Sequence, residues 1–208
     1  MDEYLILVDE NDNEIGYEQK LKVHTERLLH RAFSIFIFDW RSHKMLLQKR
    51  ASSKYHSGGL WSNACCSHPR RGQSMEAALS SRLRDELGLE TTLKIADPRQ
   101  YGLLLDGEDT IYSCGQFLYH ADFGDLGEHE LDHVFLYSPE FGGFDQADFH
   151  VNPAEIEDLR WVTISELQDW LSQSPGDFSA WFQPAFELAY EVLKQQARDK
   201  DFFFGFGR

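Results

Sequence analysis

The sequence predicts a mixed α/β fold, and two stretches carry this prediction. Residues 33–38 place apolar side chains on both faces of an extended chain, which is typical of a strand in the middle of a sheet. Between residues 74 and 88 the apolar residues have the spacing of a helix, because Met75, Leu79 and Leu83 recur at steps of four. Ser74 is a favourable N-cap for this helix, and Gly88 is a favourable end.

The remaining elements follow the same reasoning along the chain. Residues 4–8 and 15–17 flank an Asp- and Asn-rich turn and form a short hairpin. Residues 45–50 form the hairpin partner of the buried strand, with His43 exposed in the turn between them. Further strands are expected at 89–96, 101–105, 111–119 and 160–162, and helices at 163–171, where a capping box begins, and at 179–198.

Composition excludes several classes of protein. The chain has 208 residues and a formal net charge of −15, which argues against a general binder of nucleic acid or of membrane surfaces. The sequence has no apolar run of about 18 residues that could span a membrane. Its N-terminus lacks the charged and then apolar segments of a secretory signal peptide. Three cysteines, two of them adjacent, make a poor disulfide framework. We therefore expect a soluble, cytoplasmic protein with reduced thiols.

The stretch from Trp61 to Pro69 holds the most reactive side chains. Cys66 and His68 are two residues apart, so an extended chain points both to one side, while Cys65 points to the other. A thiol can exchange a proton, and an imidazole is a common metal ligand. The alternative is a buried strand that holds a structural cysteine and a hydrogen-bonded histidine.

Two acidic pairs raise the question of a bound cation. Glu128 and Glu130 share one face of a strand, which is costly unless a cation lies between them, whereas His129 and His133 face the other side as surface or packing residues. Asp85 and Glu86 end the first long helix, where carboxylates oppose the helix dipole. For this second pair, a nearby cation and simple solvation remain equal alternatives.

The candidate metal ligands suit a borderline divalent ion such as Zn²⁺ or Mn²⁺. They are three imidazoles and two carboxylates, His24, His30, His68, Glu128 and Glu130. They are dispersed along the chain, so spacing alone leaves open that they are five independent side chains.

Four blocks of sequence, taken in order, resemble the type I isopentenyl-diphosphate delta-isomerases. The blocks are Leu29-His30-Arg31-Ala32-Phe33-Ser34, Trp61-Ser62-Asn63-Ala64-Cys65-Cys66-Ser67-His68-Pro69, Asp85-Glu86-Leu87-Gly88 and Glu128-His129-Glu130. The resemblance extends from about residue 4 to 181. It implies a Nudix-like α/β fold, a mixed sheet between helices. We expect one domain over residues 1–208, with a core at 30–165, an N-terminal strand extension at 1–29, and C-terminal helices with an aromatic tail at 166–208.

The resemblance also implies roles for individual residues. One divalent ion, Mn²⁺, Zn²⁺ or Mg²⁺, would be held by His24, His30, His68, Glu128 and Glu130. Glu86 would bind a second ion, Mg²⁺, together with the substrate diphosphate, and no flavin is expected. Cys66 would exchange a proton on one face of the substrate and Glu130, near Tyr119, on the other. Trp181 would lie against the developing cation, and the diphosphate would meet Lys20, Arg50, Lys54 and Arg82.

The implied reaction moves a double bond of a small prenyl diphosphate, converting isopentenyl diphosphate to dimethylallyl diphosphate. Two alternatives are a Nudix-type pyrophosphohydrolase and a non-catalytic metal-binding module. The hydrolase is disfavoured because residues 81–86, Ser-Arg-Leu-Arg-Asp-Glu, lack most of the carboxylates of the hydrolytic Arg-Glu-x-x-Glu-Glu core. If the tyrosine that the resemblance places near Glu130 is not Tyr119, then Tyr112 is the alternative. We expect no nucleic-acid or membrane partner, and a monomer, with a weak homodimer as the alternative.

Overall fold

The computed structural model describes residues 3–54, 56–100, 109–139, 144 and 148–204, except for the side chains of residues 100 and 200–204. The strand expected at 101–105 and the last four residues of the aromatic tail lie outside this range. The strands are β1 (Tyr4–Val8), β2 (Glu14–Gln19), β3 (His30–Asp39), β4 (Lys44–Arg50), β5 (Trp61–Ser62), β6 (Cys65–Ser67), β7 (Lys94–Ala96), β8 (Thr110–Asp122), β9 (Gly127–Tyr137) and β10 (Ile156–Thr163). The helices are α1 (Lys20–Glu26), α2 (Met75–Leu87), α3 (Ile164–Gln173) and α4 (Phe182–Phe204).

The ten strands of the described chain form one mixed sheet. Its main path runs β10-β4-β3-β9-β8-β7, with β3 parallel to β9 and β7 parallel to β8. The β1–β2 hairpin joins β3 through the pair Leu7 and His30, while β6 pairs with β3 and β5 with β4. Strand β3 is therefore the central strand that the apolar pattern predicts.

Helices cover both faces of the sheet, as the predicted fold class requires. On one face, Leu79, Leu83 and Leu87 of α2 pack in a buried cluster with Ile35 and Ile37 of β3. On the other face, the long helix α4 packs on the opposite side of the same strand. This second cluster contains Phe36, Phe38, Phe182, Ala185, Phe186 and Ala189.

Both predicted helix caps are confirmed. The Ser74 hydroxyl accepts a hydrogen bond from the Ala77 N–H at the start of α2, and Gly88 ends that helix with φ 72°. A Cβ atom at Gly88 would stand 2.6 Å from the Cβ of His150, so this position needs glycine for space as well as for backbone conformation. At α3, Thr163 and Glu166 form the reciprocal capping box.

Three elements differ from the sequence prediction. The strand expected at 89–96 is limited to β7 at Lys94–Ala96. Helix α1 is not predicted, since it has only seven residues and Gln19 caps it without a side-chain hydrogen bond. The last helix begins at Phe182 rather than at residue 179, so Trp181 lies in the turn that precedes α4. His43 is exposed with φ 55° in the β3–β4 turn, as expected.

The three cysteines are free thiols, in agreement with the predicted lack of disulfides. Among the described residues, no helix combines the length and apolar character needed to span a membrane.

Candidate active site and metal centre

The register of three neighbouring strands brings the predicted site residues onto one face of the sheet. His30 of β3 is paired with Glu130 of β9, and Ser34 of β3 is paired with Cys66 of β6. Paired residues on adjacent strands point to the same face. The central strand β3 therefore carries the carboxylate along one edge and the thiol along the other.

Three imidazoles converge from three different elements. His24 comes from helix α1, His30 from the first residue of β3, and His68 from the residue that follows β6. Their ring centroids are separated by 5.1 Å (His24–His30), 5.4 Å (His24–His68) and 4.8 Å (His30–His68). Burial strongly lowers the pKa of His68, so this imidazole is neutral and able to ligate.

The hydrogen bonds of two of these rings suit metal binding. The Nδ1–H groups of His24 and His30 donate to the carbonyls of Lys20 (2.6 Å) and Leu28 (2.8 Å), which leaves each Nε2 as the ligating atom. Within the described chain, His30 Nε2 is buried without a hydrogen-bond partner, although Glu130 Oε1 lies 3.6 Å away. A buried lone pair of this kind is what a bound cation would satisfy.

The two glutamates complete the cluster. Glu128 Oε2 lies 3.2 Å from His24 Nε2, and Glu130 Oε1 lies 2.8 Å from His68 Nε2. Burial raises the pKa of Glu130, and the neighbouring charge of Glu128 raises it further. Burial acts in the same direction on Glu128, but in the metal-free protein hydrogen bonds from the imidazoles of His24 and His56 outweigh it and lower the pKa of that carboxyl.

The ligand set expected from the sequence is thus assembled in one place. One ligand atom from each of His24, His30, His68, Glu128 and Glu130 lies within 4.8 Å of every other. Three neutral nitrogens and two carboxylates fit a borderline divalent ion, so the donor set suits the metal centre that the sequence predicts.

Cys66 lines a cavity next to this cluster, together with Glu130, and its neighbour Cys65 points into the core on the α2 side, as predicted. Burial raises the pKa of the Cys66 thiol to about 12, against the opposing charge of Arg50. Arg50 Nη1 donates to Cys66 Sγ over 3.4 Å. Cys66 is therefore a protonated thiol beside a guanidinium.

Tyr119 and Trp181 form the aromatic part of the cavity wall. Tyr119 is paired with Glu130 across β8 and β9, and its ring lies 6.1 Å from the Trp181 ring. The Trp181 indole N–H donates to Asn63 Oδ1 over 3.1 Å. The alternative tyrosine, Tyr112, belongs to the core on the α4 side, so Tyr119 is the one of the two that lines the cavity.

The four cationic residues expected at the diphosphate also line the cavity. They are Lys20, Arg50, Lys54 and Arg82. Each of three has an acidic neighbour: Lys20 Nζ is 3.5 Å from Glu3 Oε2, Arg82 Nε is 2.8 Å from Glu86 Oε1, and Lys54 forms a close ion pair with Glu155.

The two carboxylates at the end of α2 lie in different environments, one buried at the cavity and one exposed to solvent. Glu86 is buried and faces the cavity, and burial raises its pKa to about 7 despite the charge of Arg82. Asp85 is exposed and accepts from Arg84. Of the two alternatives left open by the sequence, solvation applies to Asp85, and a nearby cation is possible only for Glu86.

Three ionisable residues of the cavity were not predicted from the sequence. His56 donates toward Glu128, Glu155 pairs with Lys54, and buried Asp132 accepts from Ser34 over 2.8 Å. Asp132 follows Glu128 and Glu130 at the same two-residue step, so strand alternation could have found it. His56 and Glu155 lie outside the regular elements and give no periodic signal.

The two histidines on the opposite face of β9 stay outside the cavity, as expected. His129 Nδ1 lies 3.1 Å from the carbonyl oxygen of Arg27, and His133 Nε2 lies 3.2 Å from Asp12 Oδ2. The first contact is with the residue after α1 and the second with the β1–β2 turn, so both histidines hold the N-terminal part of the chain against β9.

Comparison with known proteins agrees with the fold. The sequence pattern of the NUDIX domain matches residues 28–182. Among solved structures, the DR0079 protein of Deinococcus radiodurans superposes with a TM-score of 0.58 at 16% identity, over 92% of this chain and 98% of that one. A MutT NUDIX hydrolase from Burkholderia pseudomallei gives a TM-score of 0.51 at 18% identity, over 77% and 97% of the two chains. The fold and the sequence match thus define a Nudix-domain protein.

Curated relatives define a narrower group. "Isopentenyl-diphosphate Delta-isomerase 2" of Photorhabdus laumondii is 39% identical over 95% of this chain and 99% of its own length. "Isopentenyl-diphosphate Delta-isomerase" of Serratia proteamaculans is 44% identical over 88% of each chain. The chain belongs to the isopentenyl-diphosphate delta-isomerase family within the Nudix superfamily.

Proposed function

We propose that this protein interconverts isopentenyl diphosphate and dimethylallyl diphosphate. The observation that carries the proposal is that Cys66 and Glu130 line the same cavity, on strands that flank β3, beside the indole of Trp181. The reaction needs a proton donor and a proton acceptor on two sides of a small hydrocarbon, and this arrangement supplies both.

The two groups differ in how they hold a proton. Cys66, with a pKa of about 12, carries its proton at neutral pH and donates it to the terminal carbon of the double bond. The electron pair of the double bond forms the new C–H bond, and a tertiary carbocation results. Glu130 removes a proton two carbons away, and those C–H electrons form the new double bond. The thiolate and carboxylic acid then return to their starting states by proton exchange, and the reverse reaction uses the opposite roles.

Neighbouring residues support each step. Arg50 Nη1, at 3.4 Å from Cys66 Sγ, stabilises the thiolate that forms after donation. Burial raises the pKa of Tyr119, followed by the charge of Glu130, so the phenol keeps its proton and is able to hydrogen-bond the carboxylate opposite it. The Trp181 indole offers an aromatic face to the carbocation, an interaction worth about 2 kcal/mol or more when desolvated.

The polar end of the cavity would hold the diphosphate. Lys20, Arg50, Lys54 and Arg82 place four cationic side chains around the cavity, and the acidic neighbours of Lys20, Lys54 and Arg82 balance part of this charge. The Arg50 guanidinium lies 5.1 Å from the centre of the Trp181 ring, so a diphosphate bound to Arg50 brings its hydrocarbon next to the indole.

Metal ions would be held at two places. His24, His30, His68, Glu128 and Glu130 would hold one divalent ion, Mn²⁺, Zn²⁺ or Mg²⁺, and Glu86 would hold Mg²⁺ together with the diphosphate. Bound ions would neutralise phosphate charge and adjust the basicity of the carboxylates they touch. The protein contributes the positions of these side chains and the shielding of the cavity from water.

The hydrolase alternative is disfavoured by the same cavity. Of residues 81–86 in α2, the carboxylate of Glu86 lines the cavity beside the guanidinium of Arg82, while Asp85 is exposed to solvent. A cationic side chain at this place favours holding a diphosphate over assembling a cluster of metal ions that cleaves it.

Two substitutions test the proposal. Cys66→Ala and Glu130→Gln should each lower isomerase activity by about a hundredfold or more, as expected for the loss of a proton donor or acceptor. Cys114→Ala, a cysteine outside the cavity, and Glu191→Gln, an exposed carboxylate, are the matched controls. Thermal unfolding of each variant checks that it is folded. Full activity in a folded Cys66→Ala or Glu130→Gln protein would contradict the assignment.

A further inference from the structure

A fourth histidine, His56, contacts the metal-ligand cluster from outside. It lies in the loop between β4 and β5, and its side chain is 7% exposed. Its Nε2 is 2.9 Å from Glu128 Oε1. Because a carboxylate only accepts, Nε2 is the protonated nitrogen in this contact, and the Ser57 hydroxyl, 3.4 Å from Nδ1, is able to donate to the other nitrogen.

The imidazole of His56 is held by two aromatic rings. It stacks on Phe123, in the turn between β8 and β9, with centroids 4.9 Å apart and an interplanar angle of 21°. It also makes a T-shaped contact with the indole of Trp181, with centroids 5.9 Å apart and an interplanar angle of 74°. The ring therefore loses little further freedom in holding its hydrogen bond.

The two oxygens of Glu128 face different partners. Oε2 lies 3.2 Å from His24 Nε2 and 3.9 Å from His30 Nε2, so it is the oxygen directed into the ligand cluster. Oε1 is directed away from it, toward His56. His56 is not among the five residues whose ligand atoms lie within 4.8 Å of one another.

We propose that His56 is a positioning residue that commits Glu128 to bind the metal ion through one oxygen, Oε2. The inference rests on the metal site of the proposed function. A carboxylate without this hydrogen bond is free to rotate or to bind through both oxygens, whereas a fixed partner on Oε1 holds it in the single-oxygen arrangement. Partners of this kind typically change metal affinity by about 10- to 100-fold.

Two substitutions at His56 separate the hydrogen bond from the packing. His56→Phe keeps an aromatic ring between Phe123 and Trp181 but removes the donor. His56→Gln removes the ring but keeps an N–H the same number of bonds from the backbone as Nε2. Mn²⁺ is titrated into metal-free protein without substrate, and the dissociation constant and stoichiometry are measured by paramagnetic resonance of free Mn²⁺, with thermal unfolding as a check on folding.

We expect His56→Phe to weaken Mn²⁺ binding by about 10- to 100-fold at unchanged stoichiometry, and His56→Gln to stay within a few-fold of the unsubstituted protein. Equal binding by all three proteins would overturn the proposal. Equal loss in both variants would also overturn it, because His56 would then act as a ligand or through packing alone. His24→Ala is the control for the site itself: if it leaves Mn²⁺ binding unchanged, the metal site of the proposed function fails, independently of His56.

Discussion

Trp181 donates its indole N–H to Asn63 Oδ1 over 3.1 Å, which ties the residue before helix α4 to the segment that connects β5 and β6. The same segment continues directly into Cys66. The amide of Asn63 in turn donates to the Ile35 carbonyl over 3.2 Å, so the connection extends to the central strand. The aromatic wall and the thiol of the cavity are thus held by one hydrogen-bonded unit.

This link leads to a prediction for Trp181. Trp181→Phe keeps an aromatic face but loses the N–H donor and the larger indole surface, so the turnover number should fall by roughly tenfold. Trp170→Phe is the matched control, because it also removes an indole donor, to Asp177, but lies outside the cavity. Steady-state kinetics with isopentenyl diphosphate should show a near-normal Trp170→Phe protein. A similar loss in both variants would mean that the cavity indole has no special role.

The protonation of Cys66 is open to direct measurement. Its pKa of about 12 means that the thiolate is scarce at pH 8, so alkylation by iodoacetamide should be slow in metal-free protein. The rate should rise about tenfold per pH unit as the pH approaches 12, since the thiolate fraction rises in that proportion. Peptide mass spectrometry resolves Cys66 from Cys65 and Cys114. A rate that levels off near pH 8 would show that the neighbouring Arg50 lowers the pKa more than burial raises it.

Burial of Glu86 predicts a dependence of stability on pH. Its pKa is raised from the usual 4.5 to about 7, chiefly by burial, so between these values the folded protein binds more protons than the unfolded chain. Its stabilising contribution is therefore present below pH 4.5 and is lost as the pH rises to about 7. Glu86→Gln should remove this loss.

The test for Glu86 is urea unfolding with a chelator present. The free energy of unfolding of Glu86→Gln, relative to the unsubstituted protein, should increase from pH 4.5 to about 7 and then level off. Glu166→Gln is an exposed comparison on α3, which should show no such increase over that range. A constant difference between Glu86→Gln and the unsubstituted protein would contradict the burial account.

Local patterns were sufficient for much of the fold and for part of the site. Two-residue alternation placed Cys66 with His68 and Glu128 with Glu130, and both pairs line the cavity. Helix α2 follows from its caps and four-residue steps. In contrast, the short helix α1, which carries His24, gives no such signal, since its position depends on packing against β9 and β1.

The convergence of the metal ligands was beyond the reach of spacing. His24, His68 and Glu130 are dozens of residues apart. His68 and Glu130 meet because β6 and β9 pair with opposite edges of β3, and His24 reaches them from α1, which packs against β9. Residue type made them candidate ligands, but only the family resemblance implied that they bind one ion together. Loop residues such as His56 and Glu155 have neither a period nor a motif, so their places in the cavity emerge only from the tertiary structure.

The proposed reaction moves protons on carbon and leaves the diphosphate uncleaved. Incubation with isopentenyl diphosphate and Mg²⁺ and Mn²⁺ in deuterated water tests it most directly, with products followed by NMR. We expect dimethylallyl diphosphate that carries deuterium at carbon, with no phosphate or pyrophosphate released. Release of phosphate without isomerisation, or unlabelled substrate recovered intact from a metal-loaded protein, would contradict it.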